Sequence, residues 1–266
     1  MKAILIGYGK MGQLLSNKLN EKGHKVLAAV DPFFSGKSPE IPVYASLEEA
    51  LKGDSSNSGA GLKDADVVLE FTRPDMAVKN LLFLAKQKIP AVTGTTGWYD
   101  SLPEVSRAVD AAGSSLLWAS NFSLGVNLFY RIAEYASRLM DPFGEYDVAG
   151  VEAHHNKKAD SPSGTAKTLV ERVLAQMTRK KKAVYEMLDR PPAGDELHYA
   201  SVRVGSMPGV HNLIFDSPAD TIKITHTVRN REGLAGGAIL AAEWLVAKKR
   251  TGVFTVEDAL ADILPK

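Results

Sequence analysis

Short apolar runs alternate with helical spacing through the first half of the chain. KAILIG (2–7) is an apolar run stopped by glycine; Met11, Leu14, Leu15 and Leu19 then recur at helical intervals, and KVLAAVD (25–31) is a second run. This pattern predicts a strand, a helix and a strand. It returns as DVVLEF (66–71) ahead of a helix opened by Pro74, as IPAVTG (89–94) ahead of a helix near 100–112, and as SLLWAS (115–120) ahead of a helix from about 124. Buried runs that alternate with helices predict a doubly wound α/β unit, its parallel sheet covered on both faces. Ser46 and Glu49 in SLEEALK (46–52) stand at capping-box spacing, whereas GDSSNSGAGL (53–62) has no packing face and predicts a flexible surface loop.

Beyond about residue 143 the texture changes. EYDVAGVEAHH (145–155), HYASVRVG (198–205), VHNLIFD (210–216) and DTIKITHTV (220–228) predict longer strands, several alternating apolar with polar positions. They predict a second, α+β domain with a mixed or antiparallel sheet. A long helix over about 234–248 follows, and then a helix in TVEDALADIL near the end. RKKKA (179–183) is a charge run, expected to be a solvated helix end.

At 266 residues the chain is long enough for one large domain or two of ordinary size, and the change of texture favours two. Lys and Arg number 32 against 31 Asp and Glu, so no overall field draws the protein to nucleic acid or anionic lipid, and any basic site has to be local. Without cysteine there is no disulfide, zinc–cysteine site or thiol nucleophile. The opening MKAILIGYGK does not read as a secretory signal, and no apolar span reaches the ~18 residues of a membrane helix. A cytoplasmic protein with no membrane or nucleic-acid partner is expected.

Gly7-Tyr8-Gly9-Lys10-Met11-Gly12 follows the first strand directly and opens a helix. The spacing alone is weak, since an ordinary turn explains it. In this setting it has a mechanism: the glycines allow a tight turn and close backbone approach, and the helix N-terminus offers N–H groups and partial positive charge to a pyrophosphate. Asp31 falls at the end of the second strand, 19 residues after Gly12, where a carboxylate can accept hydrogen bonds from ribose hydroxyls. Together they predict a Rossmann-type dinucleotide site. Asp31 would repel a 2′-phosphate and Pro32 leaves no arginine beside it, while Lys10 sits where it would attract one. NADH is therefore the expected cofactor, with some use of NADPH. GTTG (94–97) and ASNF (119–122) close two later strands at their C-terminal ends, where open parallel sheets bind ligands, although turn chemistry alone explains the same residues.

Of six histidines in the chain, two stand side by side in HHNKKADSPSGTA (154–166). His154 can exchange a proton near neutral pH, and Lys158 can donate one or stabilise developing negative charge. Pro162-Ser163-Gly164-Thr165 leads into a helical pattern, so backbone N–H groups and hydroxyls at its start would face a carboxylate. The plainer alternative is an incidental loop pair with Ser163 as a cap. Metal binding is a sharper rival, because Glu152, His154, His155 and Asp160 are all ligand types. Adjacent side chains on extended backbone point to opposite faces and the lysines oppose a cation, so no metal is expected.

GTTG, NFSLGVN (121–127) and EAHHNKKADSPSGTA (152–166) stand in order, with EFTRP (70–74) and ITHTVRNREGLAGGAILAAEWL (224–245) around them. With these pieces the sequence resembles, over nearly its full length, the dihydrodipicolinate reductases, now named 4-hydroxy-tetrahydrodipicolinate reductases. That family usually has Asp-Phe-Thr where EFT stands. Its phosphate loop commonly reads Gly-x-x-Gly-x-Met-Gly, often with arginine before the methionine; here Gly9, Met11 and Gly12 fit, Lys10 replaces the arginine, and the first glycine lies one place later.

The resemblance implies a dinucleotide-binding domain over 1–123, a substrate-binding and oligomerisation domain over 124–233, and C-terminal helices over 234–266 that complete the first domain of a homotetramer. It implies NADH- or NADPH-dependent reduction of a cyclic imine dicarboxylate on the diaminopimelate and lysine route. By resemblance His154 is the acid/base and Lys158 the proton donor, and His155, Gly164 and Thr165, with Ser163 beside them, match substrate-binding positions. Gly94, Thr95, Thr96, Ala119, Ser120, Asn121 and Phe122 fall on the nicotinamide side. Another nicotinamide oxidoreductase of amino-acid metabolism has no use for HHNKK joined to PSGTA. A non-catalytic NAD-sensing regulator needs a partner surface or DNA-binding element, against which the near-neutral charge speaks.

Overall fold

Ala3, Ile4 and Leu5 expose no surface, nor do Val67, Val68 and Leu69, because each run lies in a strand flanked by strands and covered by helices on both faces. The computed structural model describes residues 1–35, 41–53 and 61–264, so residues 54–60 of the Ser/Gly-rich stretch lie outside the described residues. The chain forms β1 (Lys2–Ile6), α1 (Lys10–Glu21), β2 (Lys25–Val30), β3 (Val43–Tyr44), α2 (Leu47–Lys52), β4 (Val67–Glu70), α3 (Pro74–Lys86), β5 (Ala91–Thr93), α4 (Leu102–Ala112) and β6 (Ser115–Trp118). Next come α5 (Leu124–Met140), β7 (Asp147–His154), α6 (Gly164–Gln176), β8 (Lys182–Val184), β9 (Glu196–Arg203), β10 (Val210–Asp216) and β11 (Thr221–Thr227). α7 (Glu232–Ala247), β12 (Gly252–Thr255) and α8 (Val256–Ile263) end it. Two compact units result, Met1–Ser123 with Glu232–Lys266, and Leu124–Arg231.

In the first unit every strand pairing is parallel, in the order β12-β6-β5-β4-β1-β2-β3, the doubly wound α/β sheet expected from the apolar runs. β1 has β2 on one side and β4 on the other, and this reversal of winding opens a crevice beyond the strand C-termini. α7 buries Ala235, Gly237, Ala238, Ile239, Ala241, Ala242 and Leu245, and these mostly small residues let it lie close against the sheet. GVFT, between the two helices expected near the end, is β12, pairing with β6 from Gly252–Ser115 to Thr255–Trp118 and extending the sheet. Two local expectations change. Leu62, assigned to the solvated loop, is fully buried in the core at the end of that stretch. The Ser46 hydroxyl accepts the Glu49 N–H at 3.1 Å as a cap should, but the Glu49 carboxylate accepts from Ala45 N–H rather than from Ser46, so the box is not reciprocal.

The second unit is a mixed sheet in the order β11-β10-β7-β9-β8, with β10 antiparallel to β7 and β11, and β9 parallel to β7 and β8. α5 and α6 contribute Val126, Phe129, Tyr130, Leu169 and Val173 to a core shared with Leu197, Tyr199, Leu213 and Phe215. Along β7 the period of two buries Val148, Gly150, Glu152 and His154 and leaves the residues between them half-exposed. Polar Glu152 and His154 thus occupy inward positions. RKKKA is not a solvated helix end: α6 stops at Gln176, and Lys180 is buried, donating to the Glu196 carbonyl at 2.8 Å and pairing with Asp147 at 2.6 Å. Arg179 donates to the carbonyls of Asp141 and Tyr146, each at 3.0 Å.

Candidate active site

At the C-terminal end of β1 the chain turns through Gly7 at φ +87, a left-handed conformation, and a side chain there would collide with the Phe71 carbonyl oxygen at 2.3 Å. A Cβ at Gly12 would lie 2.1 Å from the Gly7 carbonyl oxygen, so α1 starts where only glycine lets loop and helix touch. Gly9 caps α1 without any side-chain hydrogen bond, Lys10 and Met11 follow, and the first turn carries no acid, which leaves that end electropositive. Asp31 is held by this loop: one carboxylate oxygen accepts Tyr8 N–H at 2.8 Å and the other Phe33 N–H at 2.9 Å. A cavity of about 390 Å³ opens here, lined by Gly7, Gly9, Asp31, Phe33, Arg73 and Lys79 among others. Arg73 and Lys79 were not expected: they lie far from the glycine motif in sequence and reach the cavity from the start and middle of α3.

Further along the same sheet edge lies Glu70, the first residue of the EFTRP string, whose place beside GTTG the sequence did not indicate. Its carboxylate is fully buried and accepts from the Thr72 hydroxyl, from the Thr93 hydroxyl at 2.5 Å and from Asn80 at 3.4 Å. Thr72 N–H donates to the Thr95 hydroxyl at 2.8 Å, and the Trp98 indole N–H to the Thr95 carbonyl at 2.8 Å. Thr95 is buried and Thr96 exposed. The Phe71 and Phe122 rings stand 6.1 Å apart and Asn121 accepts Ser123 N–H at 2.8 Å in the segment of Ala119, Ser120, Asn121 and Phe122, and the Phe71 ring also lies against Gly94.

In the second unit His154 ends β7 and is almost wholly buried, while the next residue, His155, is half-buried. Strand register builds what surrounds His154: Ser201 lies opposite Glu152 and Arg203 opposite His154 on β9, and His211 opposite Glu152 on β10. The Glu152 carboxylate accepts Ser163 N–H at 2.9 Å, the Ser201 hydroxyl at 2.9 Å, Arg203 at 3.4 Å, and the Ser163 hydroxyl. Ser163 in turn caps α6 by accepting Ala166 N–H at 3.1 Å. His154 Nδ1 lies 3.3 Å from Glu152 but off the line of a hydrogen bond, so the carboxylate acts on the ring through charge. The His154 and His211 rings meet edge to face at 5.2 Å, and His211 Nδ1 is 3.0 Å from the Tyr199 hydroxyl. Lys158 bonds Asp160 at 2.7 Å, and Arg203 clamps the Asp160 carbonyl at 2.6 Å. Gly164 is exposed and Thr165 half-buried at the start of α6.

Burial alone would raise the Glu152 carboxyl, but the hydroxyl and amide of Ser163, then Ser201 and the charge of His154, hold it below the usual glutamate range. Burial is also the largest influence on His154 and lowers it; Glu152 opposes, and the Lys158 and Arg203 cations lower it further. His211, more deeply buried, is pushed down to about 4. Asp160 is held below its ordinary value chiefly by the Lys158 hydrogen bond, with help from its own amide and that of Gly164. Among the described residues, Glu152, His154 and His211 are the group whose donor atoms lie close enough to share an ion, within 4.8 Å of one another. This is not the set considered from sequence, since His211 replaces His155 and Asp160. Its carboxylate already takes four donors and its neighbours include Arg203 and Lys158, an environment suited to an anion.

Residues 1–122 match the family model described as "Dihydrodipicolinate reductase, N-terminus", and residues 125–260 match "Dihydrodipicolinate reductase, C-terminus". The chain belongs to the dihydrodipicolinate reductase family. Relatives of this dihydrodipicolinate reductase family named 4-hydroxy-tetrahydrodipicolinate reductase include one from Christiangramia forsetii, 35% identical over 263 residues and 99% of each chain. Another, from Chromobacterium violaceum, is 35% identical over 259 residues and 95% of each chain. Among solved structures, the dipicolinate-bound dihydrodipicolinate reductase from Paenisporosarcina sp. TG-14 shares the fold with a TM-score of 0.76 over 99% of both chains, at 23% identity.

Proposed function

We propose that the chain, as a 4-hydroxy-tetrahydrodipicolinate reductase, converts that cyclic imine to tetrahydrodipicolinate in the diaminopimelate and lysine route. One hydride and one proton are gained and one water is lost. Beyond family membership, the observation that carries the assignment of residues is the gathering of His154 and the start of α6 around the buried Glu152 carboxylate, with the Lys158 cation near enough to His154 to act on its charge. A reduced nicotinamide supplies the hydride when bound. Gly164 and Thr165 at the α6 N-terminus receive a substrate carboxylate, which takes over from Asp160 as partner of Lys158 and of the Gly164 amide; His155 borders the same anion. Lys158 stabilises negative charge that develops on the ring and delivers the proton, and His154, whose burial lowers it and favours the uncharged imidazole, exchanges protons as acid and base.

Gly7, Tyr8, Gly9, Lys10, Met11 and Gly12 fit a pyrophosphate, because the loop admits close backbone approach and α1 presents uncapped N–H groups. Gly94, Thr95 and Thr96, with Ala119 to Phe122, serve the nicotinamide end. NADH is the preferred donor because Asp31 retains lone pairs for ribose hydroxyls, and NADPH remains usable because Lys10, Arg73 and Lys79 offer cations to a 2′-phosphate. Among the described residues no helix is long and apolar enough to cross a membrane, and a cytoplasmic location accords with that. Assembly as a homotetramer follows the family expectation; exposed Val202 and Ile222 on the second sheet give it apolar surface to bury. Oxidation of NADH is to be followed with substrate freshly formed from pyruvate and aspartate semialdehyde by a synthase. Turnover that disappears in H154Q and K158M supports the assignment, and full turnover in both variants removes it.

A further inference from the structure

We infer that Glu152 is a positioning residue that sets the acid–base histidine and the carboxylate-binding helix start as a single unit. The inference rests on the proposed roles of His154 and α6. Glu152 is fully buried at the centre of the second sheet, where a carboxylate is costly unless its oxygens are satisfied. Ser163 bonds both Glu152 oxygens, and one of the two also faces the histidines. One accepts Ser163 N–H at 2.9 Å, the Ser201 hydroxyl at 2.9 Å and Arg203 at 3.4 Å. The other accepts the Ser163 hydroxyl and lies 3.3 Å from His154 Nδ1 and 3.9 Å from His211 Nδ1. Ser163 passes this anchoring to α6, because the hydroxyl that donates to Glu152 also accepts Ala166 N–H, fixing the turn that carries Gly164 and Thr165.

The carboxylate therefore serves both halves of one task, anchoring the turn that holds the substrate anion and setting the charge beside the histidine that moves the proton. The charged and titratable groups that face His154 are Glu152 on β7, Lys158 and Asp160 in the following loop, Arg203 on β9 and His211 on β10. Two of these are cations, and Glu152 is the closest anion to the ring. Its removal leaves burial and the cations unopposed, so His154 should lose its proton at lower pH. A purely structural carboxylate, one that only filled space and satisfied β-sheet neighbours, would not link the protonation of His154 to the affinity of α6 for an anion.

Two readouts on the full chain test this, and neither requires turnover: NMR titration of the His154 imidazole, and calorimetry of pyridine-2,6-dicarboxylate. E152Q keeps the shape and removes the charge. It is expected to lower the His154 titration by about one pH unit and to weaken the dicarboxylate about tenfold. S163A removes the hydroxyl bridge between Glu152 and α6, while the residue 163 N–H still donates to Glu152 and the carboxylate charge stays beside His154, so it should weaken the dicarboxylate while moving the His154 titration by less than about 0.3 units. In the double variant E152Q/S163A the two losses of affinity should fall well short of multiplying, because both act through one contact. A folded E152Q with either the titration unmoved or the affinity within about twofold of the parent overturns the inference. If E152Q does not fold, E152D decides: the retained charge should keep the titration in place while the shortened reach weakens the dicarboxylate, and unchanged affinity overturns the inference. Failure of the functional proposal is distinct, since it appears in the unmodified protein as absence of turnover or of dicarboxylate binding.

Discussion

Removing the Asp31 carboxylate should narrow or reverse the preference between NADH and NADPH. Each oxygen of Asp31 already accepts one backbone N–H, from Tyr8 at 2.8 Å and from Phe33 at 2.9 Å, so each has lone-pair capacity left for one ribose hydroxyl. Hydrogen bonds to a charged acceptor contribute about 1.5–3 kcal/mol each, and the lower figure suits a cavity open to water. Loss of both in D31A therefore costs NADH about 3 kcal/mol, on the order of a hundredfold in Kd. For NADPH the same change removes repulsion: unit charges 4 Å apart interact by about 1 kcal/mol in water and about 4 kcal/mol at an effective dielectric constant near 20. Arg73 and Lys79, on the same cavity, remain to attract the phosphate. D31A also releases the Tyr8 amide and so disturbs the phosphate loop, but that damage weakens both cofactors alike and cancels in the ratio of their Kd values. Calorimetry of both cofactors on parent and variant gives that ratio. A parent that binds NADPH more than about tenfold tighter than NADH, or a D31A ratio equal to the parent's, refutes the reasoning.

H154Q and K158M should each lower kcat by about 10²–10⁴-fold with NADH affinity near normal, as steady-state kinetics and cofactor titration will show, because a positioned proton-transfer group is lost and the first unit is untouched. G164V should abolish most dicarboxylate binding at little cost in Tm, since a Cβ there meets no protein atom within 4 Å and obstructs only the ligand; T165V should cost about 1–3 kcal/mol of dicarboxylate affinity in the same calorimetry. Burial pushes His211 down to about 4 in the folded chain, against about 6.5 when unfolded, so between these values the unfolded chain is expected to bind the extra proton and stability to fall as pH drops. That difference corresponds to about 3 kcal/mol by pH 4, fully retained above about pH 7, and urea unfolding of H211N should show a flatter decline over the same window.

What the sequence discloses is whatever is contiguous. The glycine loop, the helix it opens and the acid ending the next strand are adjacent in the chain, and HHNKKADSPSGTA carries a strand end, a turn and a helix start in one stretch. Strand register is not written locally, and the surroundings of His154 depend on it: Ser201, Arg203 and His211 reach Glu152 only because β9 runs parallel to β7 and β10 antiparallel. The same limit hid Lys79, and although EFTRP stood out as a string it hid the place of Glu70 and Arg73, which join the cofactor end through strand order. RKKKA misled for a related reason, since a basic run looks solvated until Asp147 and the Glu196 carbonyl arrive from other strands to bury Lys180. β12 is four residues long, too short to show a period, and its place is fixed by the partner β6 rather than by its own composition.

The central claim, a hydride passed from nicotinamide to the ring of a cyclic imine dicarboxylate, is tested most directly by isotope transfer. NADH deuterated at the transferring position of nicotinamide C4 is incubated with the protein and freshly synthesised 4-hydroxy-tetrahydrodipicolinate, and the product is weighed by mass spectrometry. The expected product is tetrahydrodipicolinate carrying one deuterium on carbon, with one NADH consumed per product molecule and its formation slowed about 10²–10⁴-fold in K158M. Unlabelled product, or folded protein that leaves the NADH unconsumed, would contradict the claim.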